Sequence, residues 1–111
     1  MPNFQHHITT NGTFLAFLDG KQCKKMEDVY SHISKALLFP DYFGFNLDAL
    51  DEAICDLDWI EEKTILLLIF NYDSFLSEEK DKLEVMNAIF SHAISELESN
   101  GVYFSVLTQQ L

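Results

Sequence analysis

The sequence predicts an α/β fold, a three-stranded parallel sheet packed by helices in two layers. Two observations carry the prediction. Apolar runs of strand length recur at 13–18 (TFLAFL), 64–70 (TILLLIF) and 102–107 (VYFSVL). Between them lie longer segments whose apolar residues repeat every three or four positions, the helical period. Strands joined through helices pair in parallel, with right-handed crossovers. At 111 residues, 48% hydrophobic and 23% charged, the chain closes a core without a metal or disulfide staple. It reads as one domain over 1–111, with 1–11 a mobile N-terminal extension.

The first strand, 13–18, is bounded by Gly12 and by Asp19–Gly20. A helix over 26–38 follows from Met26, Val29, Tyr30, Ile33 and Leu37, and Pro40 ends it. DYFG at 41–44 is a loop, with Gly44 supplying backbone freedom. The second helix, 47–57, has the stripe Leu47, Leu50, Ala53, Ile54 and Leu57, with Asn46 as its N-cap. TILLLIF lacks alternation, which predicts a central strand buried on both faces. Ser77 is read as the cap of a helix to Ser99, seamed by Leu83, Met86, Phe90, Ala93 and Leu97. Asn100–Gly101 closes that helix with a left-handed cap before the last strand.

The charge is lopsided. Eighteen acids face seven lysines and no arginine, a net of −11. A nucleic-acid binder needs a basic face for phosphates, so direct nucleic-acid contact is not expected. Eight of the acids fall in 41–62, which holds no Lys, Arg or His, and the rest of the chain has a net of only −3. No apolar stretch has the ~20 residues of a membrane span. Cys23 and Cys55 form no metal or redox motif and are read as free thiols of a cytoplasmic protein.

On a helical wheel, Asp48, Glu52 and Asp56 fall opposite the apolar stripe of 47–57, with Asp51 at its border. Like charges four residues apart destabilise a helix by about 0.2–0.5 kcal/mol each. Two readings fit, a solvated acidic face and an anionic docking surface that mimics nucleic-acid phosphates. The absence of interleaved lysine favours the second. Tyr42, Phe43 and Phe45 precede the helix, and three aromatics beside Gly44 leave at least one as an exposed anchor. Trp59, flanked by acids, is either a plug at the core edge or a second anchor.

Other chemistries fit less well. Paired carboxylates of a glycosidase need a cleft between them, whereas Asp48 and Glu52 share one convex face. DLDWIEE lacks the glycine turn and ligand spacing of a calcium loop. His6 and His7 lie in the extension, and His32 and His92 are read as polar surface. Lys21, Lys24 and Lys25 are read as solvated charge.

PDYFGFNLDALDE at 40–52, followed by Trp59 and the TILLLIF strand, resembles the barstar family, intracellular inhibitors of the ribonuclease barnase. The heart of the match is NLDAL at 46–50, preceded by aromatics and Gly44 and set between the first helix and the central strand. The element order is similar across nearly the whole chain. The resemblance implies a barstar-like two-layer fold and a protein inhibitor of immunity or antitoxin type. Such a protein occludes the basic active site of a barnase-like ribonuclease with an acidic helix and an aromatic loop.

By motif match, Tyr42, Gly44, Asn46 and Asp48 take the loop and helix positions of the partner site. Glu52 takes the place of the family's central aspartate, which meets the nuclease's cationic cluster. Trp59 is similar to a family tryptophan, two residues farther along, and Glu96 aligns with a further contact when Gly101 sets the register. Phe45 and Asp51 complete the expected surface. The chain departs from the pattern at Glu52, one methylene longer than aspartate, and at Asp51, where the family often has tryptophan. The expected partner is a basic extracellular-type ribonuclease, or another basic toxin or regulator, bound by a monomer as a 1:1 heterodimer. Neither enzymatic activity nor a cofactor is expected.

Overall fold

The dipeptide Asn11–Gly12 does more than bound a strand. Both residues have positive φ, 51° and 79°, the backbone of a tight two-residue hairpin. In the computed structural model, which describes residues 6–110, this turn joins β1 (His7–Thr10) to β2 (Thr13–Asp19), with Thr10 opposite Thr13. The expected three-stranded sheet therefore gains a fourth, antiparallel edge strand from residues read as a mobile extension. Residues 1–5 of that extension lie outside the described residues.

The remaining elements are α1 (Met26–Ala36), α2 (Leu47–Asp56), β3 (Thr64–Phe70), α3 (Lys82–Ser99) and β4 (Tyr103–Gln109). The sheet order is β1-β2-β3-β4, and β2, β3 and β4 are parallel. Register puts Phe14, Ile65 and Phe104 side by side. Those three, with Ala16, Leu18, Leu67 and Ile69, form the inner face of the sheet. Val29, Ile33, Leu50, Ile54, Met86, Phe90, Ala93 and Leu97 from all three helices close over it. The fold is thus two layers. TILLLIF is not buried equally on both sides: Ile65, Leu67 and Ile69 are buried, while Leu66 and Leu68 are half-exposed. With helices on one face only, the second face is shielded by neighbouring side chains alone.

Two helix ends carry the topology. α3 closes as expected, with Gly101 at φ 80° and Val102 N–H bonded to the Leu97 carbonyl at 2.8 Å. Its start differs. Residues 77–81 form turns, and the helix begins at Lys82 rather than at a Ser77 cap. Tertiary bonds divert this segment. Leu76 and Glu78 donate their N–H groups to the carbonyls of Cys23 and Lys24 at 2.8 and 3.0 Å. The Glu79 carboxylate accepts the Met26 N–H at 2.6 Å. It thereby caps α1, whose own N-cap, Lys25, offers no side-chain bond. No helix among the described residues is long and apolar enough to cross a membrane.

Candidate partner-binding site

The loop from α1 to α2 is shaped by two left-handed residues that are not glycine. Leu38, at φ 56°, terminates α1, and Phe39 N–H reaches back to the Ser34 carbonyl at 2.8 Å. Phe45, at φ 52°, sits immediately before the α2 cap. A left-handed aromatic residue costs about 1–2 kcal/mol. Such strain collects where a chain must hold a side chain in a set place. Gly44 was expected to provide the backbone freedom, but the positive φ belongs to Phe45. Gly44 serves close packing instead, since a Cβ there would lie 3.1 Å from the Asn46 amide nitrogen.

Asn46 ties the loop to the helix. Its Oδ1 accepts the Ala49 N–H at 2.8 Å, and its Nδ2 donates to the Gly44 carbonyl at 3.1 Å. One side chain thus caps α2 and clamps the turn that carries Phe45. The aromatic triplet then divides. Phe43 is buried, with ring centroids 4.9 Å from Phe39 and 5.0 Å from Phe45. Tyr42 is 86% exposed and Phe45 55% exposed.

α2 buries Leu50 and Ile54 and exposes Asp48, Glu52 and Asp56. Among the described residues, no ion pair involves any of these three carboxylates. Asp48 in the first turn suits the helix dipole, whereas Asp56 in the last turn opposes it by about 0.3–1 kcal/mol. At Glu52 and Asp56 the local helix would be more stable with neutral or basic residues.

Trp59 sits at the core edge with one side left open. It is half-buried, stands edge-on to Phe39 with centroids 6.1 Å apart, and donates its indole N–H to the Leu37 carbonyl at 2.9 Å. Its other side lines a groove of about 250 Å³ with Tyr42, Gly44, Glu52 and Asp56. The small side chains of Ala49 and Ala53 form part of the lining. Four of the nine expected residues (Tyr42, Gly44, Glu52 and Trp59) therefore share one concavity. Asp56, which the helical wheel already sets beside Glu52 on the acidic face, joins this lining; the two alanines do not stand out in the sequence, although their i+4 spacing is visible.

Asp48 and Asp51 lie on the other flank of α2, in a groove shared with Val85, Ile89 and His92 of α3. Asp51 is engaged within the molecule, where its Oδ1 meets His92 Nδ1 at 2.9 Å. Glu96 meets the other ring nitrogen, Nε2, at 3.7 Å. Asp51 and Glu96, on two helices, are thus joined through His92, which the sequence alone marks only as polar surface. Asp51, then Glu96, holds the His92 pKa above its usual value. Cys55 Sγ lies 3.5 Å from His92 Nδ1. Burial, then the charge of Asp51, pushes its thiol up to about 11. These are the residue types of a Cys–His–Asp triad without its connectivity. A relay needs the nucleophile and the acid on opposite ring nitrogens, but here both face Nδ1.

The acidic face of α2, the clamped aromatic loop and Trp59 thus adjoin one another on the outside of the molecule. The family model described as Barstar (barnase inhibitor) matches residues 13–109. That span runs from the first residue of β2 to the last residue of β4 and includes the whole of this surface. The chain belongs to the barstar (barnase inhibitor) family.

Proposed function

We propose that this protein is an intracellular inhibitor, of immunity or antitoxin type, of a basic barnase-like ribonuclease. The carrying observation is the set of carboxylates of Asp48, Glu52 and Asp56, which form no ion pair among the described residues and are exposed beside Tyr42 and Phe45. Both features carry a cost for the isolated fold. Like-charged neighbours weaken α2, and two large apolar surfaces stand in water.

Both features become favourable against a basic cleft. Carboxylates spaced one helical turn apart replace substrate phosphates against arginine, lysine or histidine. Tyr42 and Phe45 exclude water around those contacts and strengthen them. A net charge of −11 speeds encounter with a cationic enzyme; barnase–barstar is itself the type case of such steering, so that expectation is the family's. Inhibition then needs no chemistry, only occupancy of the cleft by α2 and the loop in a 1:1 complex.

The test is inhibition of a small panel of barnase-like ribonucleases at low and high salt. Tight inhibition that weakens with salt is expected. Asp48→Ala with Glu52→Ala is expected to weaken it by ~100-fold, roughly tenfold per carboxylate, while Glu78→Ala with Glu84→Ala leaves it within a few-fold. Equal losses from the two double variants would overturn the assignment of the surface. A second reading keeps the surface and changes the partner to another basic toxin or regulator. It is favoured by Asp51, which stands where the family often has tryptophan and is turned to His92. Binding of such a protein without inhibition of any panel nuclease would select it.

A further inference from the structure

On α2, Asp51 and Cys55 are four residues apart. On the facing turn of α3, so are His92 and Glu96. The two pairs meet across the α2–α3 groove. Asp51 Oδ1, Cys55 Sγ and His92 Nδ1 converge with separations of 2.9, 3.5 and 3.8 Å, and all three ligand atoms lie within 4.8 Å of one another. We propose that Asp51, Cys55 and His92 form a binding site for a zinc-type divalent cation, oriented by Glu96.

The geometry fits the ion. Zinc bonds of about 2.0–2.3 Å set the edges of a tetrahedron at about 3.3–3.6 Å. The two sulfur edges already lie close to that range. Only the Asp51–His92 edge is short, because a hydrogen bond now spans it, and it must open by about 0.4 Å. Two surface side chains make that movement without disturbing the core, since Asp51 is half-buried and His92 exposed. Three protein ligands leave a fourth position open to water.

The chemistry selects the class of ion. A thiolate and an imidazole on one centre are borderline-soft donors, which favour zinc and later first-row metals over calcium or magnesium. Glu96 supplies what a metal-bound histidine ordinarily has, a carboxylate on its second ring nitrogen. The Glu96 charge 3.7 Å from Nε2 favours the tautomer protonated there, which frees the Nδ1 lone pair for a metal. The surroundings also favour a cation, because residues 41–62 hold eight acids and no basic residue. On binding, the Cys55 thiol releases its proton to solvent as the sulfur–metal bond forms, and the cation takes the place of the proton shared by Asp51 and His92. The site lies between α2 and α3, and cation binding there needs no nuclease.

Cobalt(II) is the probe, added to chelator-treated, phosphine-reduced full-length protein, with zinc(II) as competitor. The expected result is saturation at one equivalent, with a thiolate-to-cobalt charge-transfer band that zinc removes. Cys55→Ser is expected to abolish the band, whereas Cys23→Ala, at the other and fully buried thiol, keeps it. His92→Gln, at an exposed position that folding tolerates, is expected to lower affinity by more than 100-fold. Glu96→Gln is expected to lower affinity by about 10–100-fold with the band retained. Absence of saturable one-equivalent binding in the unaltered protein, or a band that survives Cys55→Ser, overturns the site.

Discussion

The indole N–H of Trp59 donates to the Leu37 carbonyl at 2.9 Å. This bond fastens one wall of the outer groove to the end of α1. It also satisfies a carbonyl left unpaired where the helix stops. Trp59→Phe keeps an aromatic wall but orphans that carbonyl, so stability should fall by about 1–3 kcal/mol, read as a lower urea midpoint at unchanged slope. Because Trp59 is the chain's single tryptophan and lines the groove, its fluorescence should also change when a partner binds. A silent fluorophore in a saturated complex would place the partner elsewhere.

Asn46 separates capping from clamping. Asn46→Ala removes both the bond to Ala49 N–H and the bond to the Gly44 carbonyl. The expected loss is about 1 kcal/mol of stability, with weaker partner binding as Phe45 leaves its left-handed conformation. Asn46→Asp keeps the acceptor and adds a charge that the helix start favours, but it cannot donate to Gly44. That variant should hold its stability and still bind less well. Equal binding by the aspartate variant and the unaltered protein would show that the clamp on Gly44 does not matter.

Glu79 caps a helix that begins 53 residues before it in sequence. Glu79→Ala should cost about 1 kcal/mol, with amide exchange accelerated in the first turn of α1. Glu79→Gln, which keeps an acceptor, should cost less. This role also decides which acids make a sound control for the inhibitor test. Glu79 lies far along the chain from the acidic helix, yet removing it loosens α1, so Glu84 is paired with Glu78 instead. Exchange unchanged at Met26 to Val29 in Glu79→Ala would show that another group supplies the cap.

These cases show where sequence stops being legible. The parallel strands, the Asn46 cap and the Asn100–Gly101 terminus depend on residues within a few positions of one another, and local pattern reveals them. Asn11–Gly12 was equally local. Its hairpin was missed because HITT at 7–10 lacks apolar alternation, so the turn had no visible strand to join. The late start of α3 could not be read, because Leu76, Glu78 and Glu79 are held by partners fifty or more residues away. Phe45 was hidden for a different reason. The left-handed conformation is assigned by habit to the neighbouring glycine, and only packing against the Asn46 amide reserves Gly44 for another purpose. Asp51 and Glu96 are expected from sequence as members of a partner surface, but their link through His92 arises from the packing of α2 on α3.

His92 provides the pH dependence. In metal-free protein it faces Asp51 and Cys55 from α2 and Glu96 from its own helix. The hydrogen bond and charge of Asp51 raise its pKa above the unfolded value near 6.5. Protonated His92 is therefore favoured by the folded state. The stabilisation is fully present below the unfolded pKa and is lost as pH rises through the raised, folded value. Exposure of the pair keeps the effect small and salt-sensitive. Asp51→Asn should return the His92 titration, followed by its ring-proton chemical shifts, toward the ordinary histidine value. Glu96→Gln should move it in the same direction by less, because Asp51 contributes the larger part of the shift. A titration unmoved by Asp51→Asn would mean that the two side chains do not meet in solution, and the cation site would lose its shortest edge with them.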